Sequence, residues 1–161
     1  MKRTISLFML VLSGIMTGWI STTQAEDLPV VRDFTVEAKD ASDKQKPILV
    51  LFMSDTCTYC EKVLQYYLLP MQHDHAYDNK VILRQIEIEN NEKLVDFNGK
   101  TTSQSAFTKS YKIWAVPTVM LFDSQGHELT RIVGLLTEDF YLAYLDDAIN
   151  ESQAKIKAAA K

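Results

Sequence analysis

The stretch from Pro47 to Glu61, PILVLFMSDTCTYCE, carries the two most informative patterns of the chain. Residues 47–53 are almost all apolar, which is typical of a strand covered on both faces of a sheet. Cys57 and Cys60 follow directly, and they are the only two cysteines among the 161 residues. The segment after them has helical spacing, so the sequence predicts a dithiol at a turn from a buried strand into a helix. A cysteine at such a turn can react, and its surroundings set the pKa of its thiol.

The N-terminus has the pattern of an export signal. Lys2 and Arg3 precede an apolar stretch from about Ile5 to Ile20, and small residues lead up to Ala25. We expect residues 1–25 to be a signal peptide that is removed after Ala25. The alternative is an uncleaved membrane anchor, but the apolar stretch is interrupted by polar residues and is short for a span, which needs roughly 20 apolar residues.

Residues 26–161 are expected to form a single domain that is large enough for a hydrophobic core. No other segment could span a membrane, so we expect no stable membrane insertion after the signal is removed. The net charge of the whole chain is −4, and no basic run is present. An acidic domain of this kind is a poor nucleic-acid binder.

The spacing of the cysteines favours chemistry over a structural role. In an oxidising compartment, an even cysteine count is by default a structural disulfide. However, the stabilisation from a disulfide grows with the loop that it closes. A bridge between Cys57 and Cys60 closes almost the smallest loop available, so we predict that the pair is redox-active.

The remaining patterns predict a mixed sheet with helices on both faces. Residues 26–31 are expected to be a loose leader, and Asn98-Gly99 indicates a small hairpin within residues 90–105. The aromatics Phe52, Phe122, Phe140 and Tyr144 are expected in the core. The predicted elements are a helix over 33–45, a strand over 47–53, a helix from Cys57 to near Pro70, a strand over 81–88, a short helix over 106–111, strands over 117–122 and 128–133, and a helix over 137–149 that is capped by Thr137.

Three motifs, taken together and in this order, resemble the thioredoxin superfamily over about residues 46–149. They are the apolar strand leading into Cys-Thr-Tyr-Cys at 57–60, the Val-Pro-Thr at 116–118 before an apolar strand, and the Arg-Ile-Val-Gly at 131–134 before the last helix. The resemblance implies a thioredoxin-like α/β fold with a central mixed sheet flanked by helices. The extra N-terminal helix and the small hairpin insert look like exported thioredoxin-related proteins of bacteria, which implies a periplasmic location.

The resemblance also implies roles for individual residues. Cys57 would be the exposed nucleophile and Cys60 the resolving thiol. Pro117 would follow a cis peptide bond and lie against the cysteines, and the backbone of Val116 would pair with an extended substrate segment. Thr58, Tyr59 and Trp114 complete the set of expected substrate-binding residues.

The family pattern is broken at several positions. Thioredoxins proper carry Trp where this chain has Thr56, and a buried Asp where it has Leu51. A Lys of the family falls roughly at Gln85. The usual proton relay for the resolving thiol is therefore missing, and Glu61 or water would have to serve. The helix-kinking Pro of the family is absent as well.

Two opposing effects on the Cys57 thiolate bear on the direction of electron flow. The helix N-terminus favours a thiolate on Cys57, whereas the nearby Asp55 and Glu61 disfavour it. The chain lacks the helical insert of exported thiol oxidases and the dimerisation domain of exported isomerases. We therefore predict a monomeric reductase of disulfides in substrate proteins, without a cofactor, that is re-reduced through a membrane electron carrier. The alternatives are a disulfide-donating thiol oxidase and a non-catalytic module that binds a partner through Trp114 and its neighbours.

A zinc site is the competing interpretation of the cysteines. Together with His73 and His75 they match the first two intervals of a zinc finger, but finger histidines need three to five residues between them. The intervening segment also has the pattern of one long helix. We therefore expect no metal here, and we expect His73, His75 and His127 to be solvated loop residues.

Overall fold

A computed structural model describes residues 27–160, so the predicted export signal lies outside the described residues. The strands are β1 (Ile48–Met53), β2 (Ile82–Glu87), β3 (Lys93–Val95), β4 (Thr101–Ser103), β5 (Thr118–Phe122) and β6 (Glu128–Val133). The helices are α1 (Phe34–Lys44), α2 (Thr58–Val63) followed by a π-helical turn (Leu64–Leu68), α3 (Leu69–His73), α4 (Gln104–Ser110), a 3-10 turn (Glu138–Phe140) and α5 (Tyr141–Ala159).

The central sheet has the strand order β2-β1-β5-β6. Strand β1 runs parallel to β2 and antiparallel to β5, and β5 runs antiparallel to β6. All six residues of β1 are buried, because helices cover both faces of the sheet. Leu49, Leu51 and Met53 pack with α2 and α5, and alternate residues pack with α1 and α4. The predicted mixed α/β sheet is confirmed.

Helix α1 is fixed at both ends and at its buried face. The Asp33 side chain accepts a hydrogen bond from the Thr35 backbone N–H at 2.8 Å, which caps the first turn. Gln45 ends the helix in the left-handed conformation, with a φ of 53°. Phe34 is fully buried and stacks on Phe107 of α4, with ring centroids 4.6 Å apart. The helix predicted over 33–45 is therefore confirmed.

The polar insert forms the predicted hairpin. Strands β3 and β4 pair antiparallel, and the loop between them contains Gly99 with a φ of 76°, a conformation that glycine adopts without a steric cost. Phe97 in this loop stacks on Phe34, with ring centroids 4.3 Å apart. Leu94 of β3 is also fully buried, so the hairpin is anchored to the core by Phe97 and Leu94.

The N-terminal segment is not the loose leader that was predicted. Leu28 and Val31 are buried, and Val30 forms a parallel bridge with Gln85 of β2. The Val31 N–H donates to the Gln85 carbonyl at 3.2 Å, and the Gln85 N–H donates to the Pro29 carbonyl at 3.1 Å. An edge strand offers unpaired backbone groups, and this short segment satisfies some of those on β2.

The helix that begins after Cys57 does not stop near Pro70, and that prediction is wrong. Its last part, α3, continues to His73. The Leu69 N–H donates to the Leu64 carbonyl, five residues back, which defines the π-helical turn. A proline inside an α-helix removes one hydrogen bond and clashes with a preceding carbonyl. The wider turn immediately before Pro70 lets the helical path continue past it.

The last helix starts differently from the prediction. The Thr137 side chain makes no capping hydrogen bond, and a 3-10 turn precedes α5. The buried face of α5 contains Tyr141, Leu145 and Ile149. Phe140 and Tyr144 each precede a residue of that face by one position, so both are exposed and their predicted place in the core is wrong. Phe52 and Phe122 are fully buried, as predicted. Helix α5 extends well beyond Ile149, to Ala159.

Candidate active site

Strand β1 delivers the two cysteines to the start of α2. Cys57 is the N-cap residue, and Cys60 lies in the first helical turn. The Cys57 N–H donates to the Ser54 carbonyl at 3.0 Å, which shapes the turn between strand and helix. Cys57 and Cys60 are joined in a disulfide, and their Cα atoms are 5.2 Å apart. The spacing that the sequence singled out therefore places both sulfur atoms on one side of a helix N-terminus.

The two sulfur atoms differ in their surroundings. Cys60 is fully buried in the core beneath α2, whereas Cys57 is partly exposed. The Cys60 backbone N–H donates a hydrogen bond to the Cys57 sulfur at 3.1 Å. This N–H is one of the unpaired groups at the helix start, where negative charge is stabilised. Cys57 is therefore the sulfur that another molecule can reach and the one whose thiolate the helix favours.

A second loop lies against the same core face. The peptide bond between Val116 and Pro117 is cis, and Pro117 is buried. The Gly134 N–H donates to the Pro117 carbonyl at 2.7 Å, which joins two of the sequence motifs directly. Val116 and Cys57 are partly buried and pack against the same cluster of buried residues. The fold thus brings the three motifs of the sequence to one region.

The other predicted substrate-binding residues lie at the surface. Thr58 and Tyr59 are exposed at the start of α2. Trp114, three residues before Pro117, is 82% exposed. The sequence left open whether Trp114 is partly buried beneath its loop, and the structure places it outside the core. Trp114 and Tyr59 thus add apolar surface to two segments that flank the motifs.

Among residues 27–160, no buried carboxyl group takes the place of the missing acid. Leu51, at that position, is fully buried in the same cluster as Cys60. Gln85, beside Leu51 on β2, is buried, and its Oε1 atom has no hydrogen-bond partner. Glu61 is exposed on α2. The described neighbours of Cys60 are therefore apolar.

Two tyrosines that the sequence analysis did not single out pack on each other, Tyr67 in the π-helical turn and Tyr141 at the start of α5. Tyr67 donates a hydrogen bond to the Glu138 carbonyl at 2.8 Å, and its ring packs on Tyr141, with centroids 4.9 Å apart. The Tyr141 hydroxyl is buried without a partner. Burial raises the pKa of Tyr141 above its ordinary value, and burial is also the main cause of a raised pKa at Tyr67. Both hydroxyls are therefore protonated at neutral pH.

The charges around the disulfide are mostly negative. Lys62 forms an ion pair with Glu138, at 2.6 Å, and its hydrogen bond to that carboxylate raises the pKa of Lys62 above its ordinary value. Asp55 and Glu61 are exposed on either side of the cysteines, and within residues 27–160 neither has an ion-pair partner. These two carboxylates oppose the effect of the helix N-terminus on a thiolate at Cys57.

Within the described chain, no group of three or more His, Cys, Asp and Glu side chains is arranged to hold a metal ion. Both cysteine sulfurs are used in the disulfide. His75 accepts or donates a hydrogen bond with Asp78 at 2.9 Å, and His127 does the same with Asp123.

Comparison with known proteins identifies the family. The family described as Thioredoxin-like domain matches residues 34–149. The chain also matches curated relatives named Thiol:disulfide interchange protein DsbD. The one from Haemophilus ducreyi is 25% identical over 113 residues, covering 69% of this chain and 18% of the relative. The one from Cronobacter sakazakii is 24% identical over 135 residues, covering 81% of this chain and 22% of the relative.

The chain spans about a fifth of the length of these curated relatives. Among solved structures, the oxidised form of mitochondrial thioredoxin 3 from Saccharomyces cerevisiae superimposes with a TM-score of 0.52 at 17% identity, and the match covers 77% of this chain and 94% of that one. This likeness shows the fold. The chain belongs to the thioredoxin-like domain family, and its paired cysteines support thiol–disulfide oxidoreductase activity.

Proposed function

We propose that the protein is an exported oxidoreductase that reduces disulfides in substrate proteins. The observation that carries this proposal is the asymmetry of the cysteine pair. Cys57 is accessible and receives a hydrogen bond from the helix N-terminus, whereas Cys60 is fully buried one turn further on. An accessible thiolate backed by a shielded second thiol suits a two-step exchange with a protein disulfide.

The reduction takes place in two thiol–disulfide exchange steps. The thiolate of reduced Cys57 attacks one sulfur of the substrate disulfide, and the other substrate sulfur leaves as a thiolate that takes a proton from water. Cys60, losing its proton to water or to Glu61, then attacks the Cys57 sulfur of the mixed disulfide. The second substrate sulfur leaves, and the Cys57–Cys60 disulfide forms. Two electrons thus pass from the protein dithiol to the substrate.

The charges near Cys57 support the reducing direction. A dithiol is a strong oxidant when its reduced, thiolate form is specially stabilised. Here the exposed Asp55 and Glu61 act against that thiolate, and the nearby Lys62 is already paired with Glu138. The reduced form therefore gains less stabilisation, which lowers the reduction potential. A monomer of this kind would be re-reduced by the dithiol of a membrane electron carrier.

The reduction potential of the Cys57–Cys60 couple tests the direction. We expect equilibration of the purified protein with glutathione or dithiothreitol to give a value toward about −270 mV, as in thioredoxin. A value near about −120 mV would overturn the reductase assignment and make the protein a disulfide donor. In the double variant Asp55→Asn/Glu61→Gln, we expect the potential to rise by about 30 mV, a tenfold change in equilibrium constant. The matched control is Asp147→Asn, an exposed carboxylate in α5 outside the cysteine-bearing segment, which should leave the potential unchanged.

Export rests on the N-terminal sequence. Positive residues, an apolar stretch and small residues before Ala25 support cleavage there and release into the periplasm. Within residues 27–160, no helix is both long and apolar enough to cross a bilayer. When the full chain is produced in a bacterium, N-terminal sequencing of the periplasmic protein is expected to begin at Glu26. Recovery of the protein only in the membrane fraction with Met1 or Lys2 still present would contradict the proposal.

A binding module without turnover is the second candidate, because Trp114 is 82% exposed three residues before the cis Pro117. Large aromatics at a surface are frequent anchors for partner proteins. Such a module would keep its partner when both cysteines are replaced by serine, whereas an enzyme would lose turnover.

A further inference from the structure

Four large apolar side chains are exposed on two segments that the Lys62–Glu138 ion pair joins. Tyr59 and Tyr66 come from the helix that begins at Cys57, and Leu136 and Phe140 come from the segment that leads into α5. Each of them is between 60% and 70% exposed. We call these four residues the aromatic flank.

Contacts around Lys62 join the two segments of the aromatic flank. The Lys62 ammonium pairs with Glu138 at 2.6 Å and lies 5.9 Å from the centre of the Tyr59 ring. Tyr66 follows Lys62 by one helical turn, so the two side chains lie on the same face of the helix. Tyr67, the next residue, donates its hydroxyl proton to the Glu138 carbonyl. These contacts hold the two segments of the flank side by side, and Tyr59 brings the flank within two residues of Cys57 along the chain.

Such a cluster differs from the scattered apolar residues of an ordinary surface. Single exposed hydrophobic side chains are normal, whereas a contiguous group with a polar rim marks a site of interaction. Tyr and Phe have large rigid surfaces that bury well against a partner, and Tyr is enriched among the strongest contacts of interfaces. The position of the flank next to Cys57 indicates that its partner is the molecule that exchanges disulfides there.

The charges on the rim indicate the chemistry of that partner. Segments 54–62 and 134–142 carry four carboxylates and one ammonium group, since Lys62 is the only basic residue in either segment. Lys62 is already paired with Glu138. The remaining carboxylates are exposed and, within residues 27–160, have no ion-pair partner, namely Asp55, Glu61 and Asp139. Opposite charges across an interface speed the encounter, and like charges are rejected.

We infer that the aromatic flank binds the polypeptide on one side of the substrate disulfide and selects segments in which Lys or Arg lies among apolar residues. This inference rests on the proposed reductase function and names its substrate class. The apolar residues of the segment cover the flank, and its basic residues face Asp55, Glu61 and Asp139. Disulfides in acidic segments are reduced more slowly because they are repelled before they reach Cys57.

Two synthetic peptides test the selection. Both contain one intramolecular disulfide and the same apolar residues, and they differ only in carrying Lys or Glu beside the cysteines. With the pre-reduced full protein at low ionic strength, we expect the Lys peptide to be reduced about tenfold faster. The difference should shrink as salt is added, because exposed charges are screened. Equal rates for the two peptides, or a faster Glu peptide, would overturn the inference.

Variants of the flank separate docking from chemistry. We expect Tyr66→Ala/Phe140→Ala to lower kcat/KM for the Lys peptide about tenfold, while the rate with hydroxyethyl disulfide, which is too small to cover the flank, stays unchanged. Asp139→Lys should reduce the preference for the Lys peptide. The exposed Asp147→Lys, eight residues further along, is the charge-matched control and should keep the preference.

The rate with hydroxyethyl disulfide also distinguishes a failure of the docking surface from a failure of the proposed reductase function. If hydroxyethyl disulfide is reduced and the Tyr66→Ala/Phe140→Ala variant treats both peptides like the unmodified protein, the docking surface is wrong and the reductase stands. If the reduced protein reduces neither the peptides nor hydroxyethyl disulfide, the proposed function fails and the docking inference fails with it.

Discussion

Replacing Cys57 with serine is expected to abolish the reduction of insulin disulfides, because no other described side chain offers an accessible thiolate at the helix start. Replacing Cys60 with serine leaves the first exchange possible but removes the thiol that releases the substrate. The Cys60→Ser variant should therefore accumulate mixed disulfides, which non-reducing electrophoresis and intact-mass measurement would show. Turnover would be followed by the precipitation of reduced insulin chains.

The control for these variants is Ser42→Ala, at an exposed position on α1 that is far from the cysteines in sequence. It should reduce insulin at the rate of the unmodified protein. Normal turnover by Cys57→Ser would show that the proposed mechanism is wrong. Retention of a protein partner by the double variant Cys57→Ser/Cys60→Ser, without any turnover in the unmodified protein, would instead favour a binding module.

Truncating Phe34 to alanine is expected to cause a large loss of stability. Phe34 is fully buried, and its ring stacks on Phe97 and Phe107, with centroid distances of 4.3 and 4.6 Å. Removing a buried phenylalanine costs about 3–5 kcal/mol, because both the transfer energy and the packing around the cavity are lost. Urea unfolding, followed by circular dichroism, would measure the change.

Val36→Ala is the matched control, since Val36 lies two residues further along the same helix and is 64% exposed. We expect its effect to stay within about 0.5 kcal/mol, as for most surface substitutions. Equal losses for the two variants would mean that the stacked rings do not stabilise the fold. A loss for Phe34→Ala without a change in the exchange rate at Cys57 would show that this core supports the sheet and not the chemistry.

Much of the fold followed from local patterns. The unbroken apolar run of β1 predicts a central strand, and the helical pattern that ends at Lys46-Pro47 predicts α1. The cysteine spacing identified the candidate active site for the same reason, since both sulfur atoms belong to one short turn. Features that depend on distant segments were missed or wrong. The pairing of Val30 with Gln85 joins residues far apart in sequence, and no local pattern indicates it.

The errors near the site have related causes. Phe140 and Tyr144 were placed in the core as aromatics of an amphipathic stretch, but the buried face of α5 begins at Tyr141 and leaves both exposed. Pro70 predicted the end of the helix. The π-helical turn that lets the helix continue past Pro70 has no recognisable amino-acid composition, so the sequence did not indicate it. The aromatic flank was also missed as a unit, since its four side chains come from two segments about seventy residues apart, as the Lys62–Glu138 pair shows.

Because Leu28 and Val31 are buried, the folded domain begins before residue 34. The family match begins only at residue 34, so a recombinant fragment cut at that boundary would lose Leu28 and Val31 from the interior. It would also uncover backbone groups of β2 that could then pair with the same strand of a second molecule. Aggregation of such a fragment would show that the fragment begins too late in the chain, and not that the protein is intrinsically unstable. For the same reason, an affinity tag is better attached after α5 than directly before Leu28.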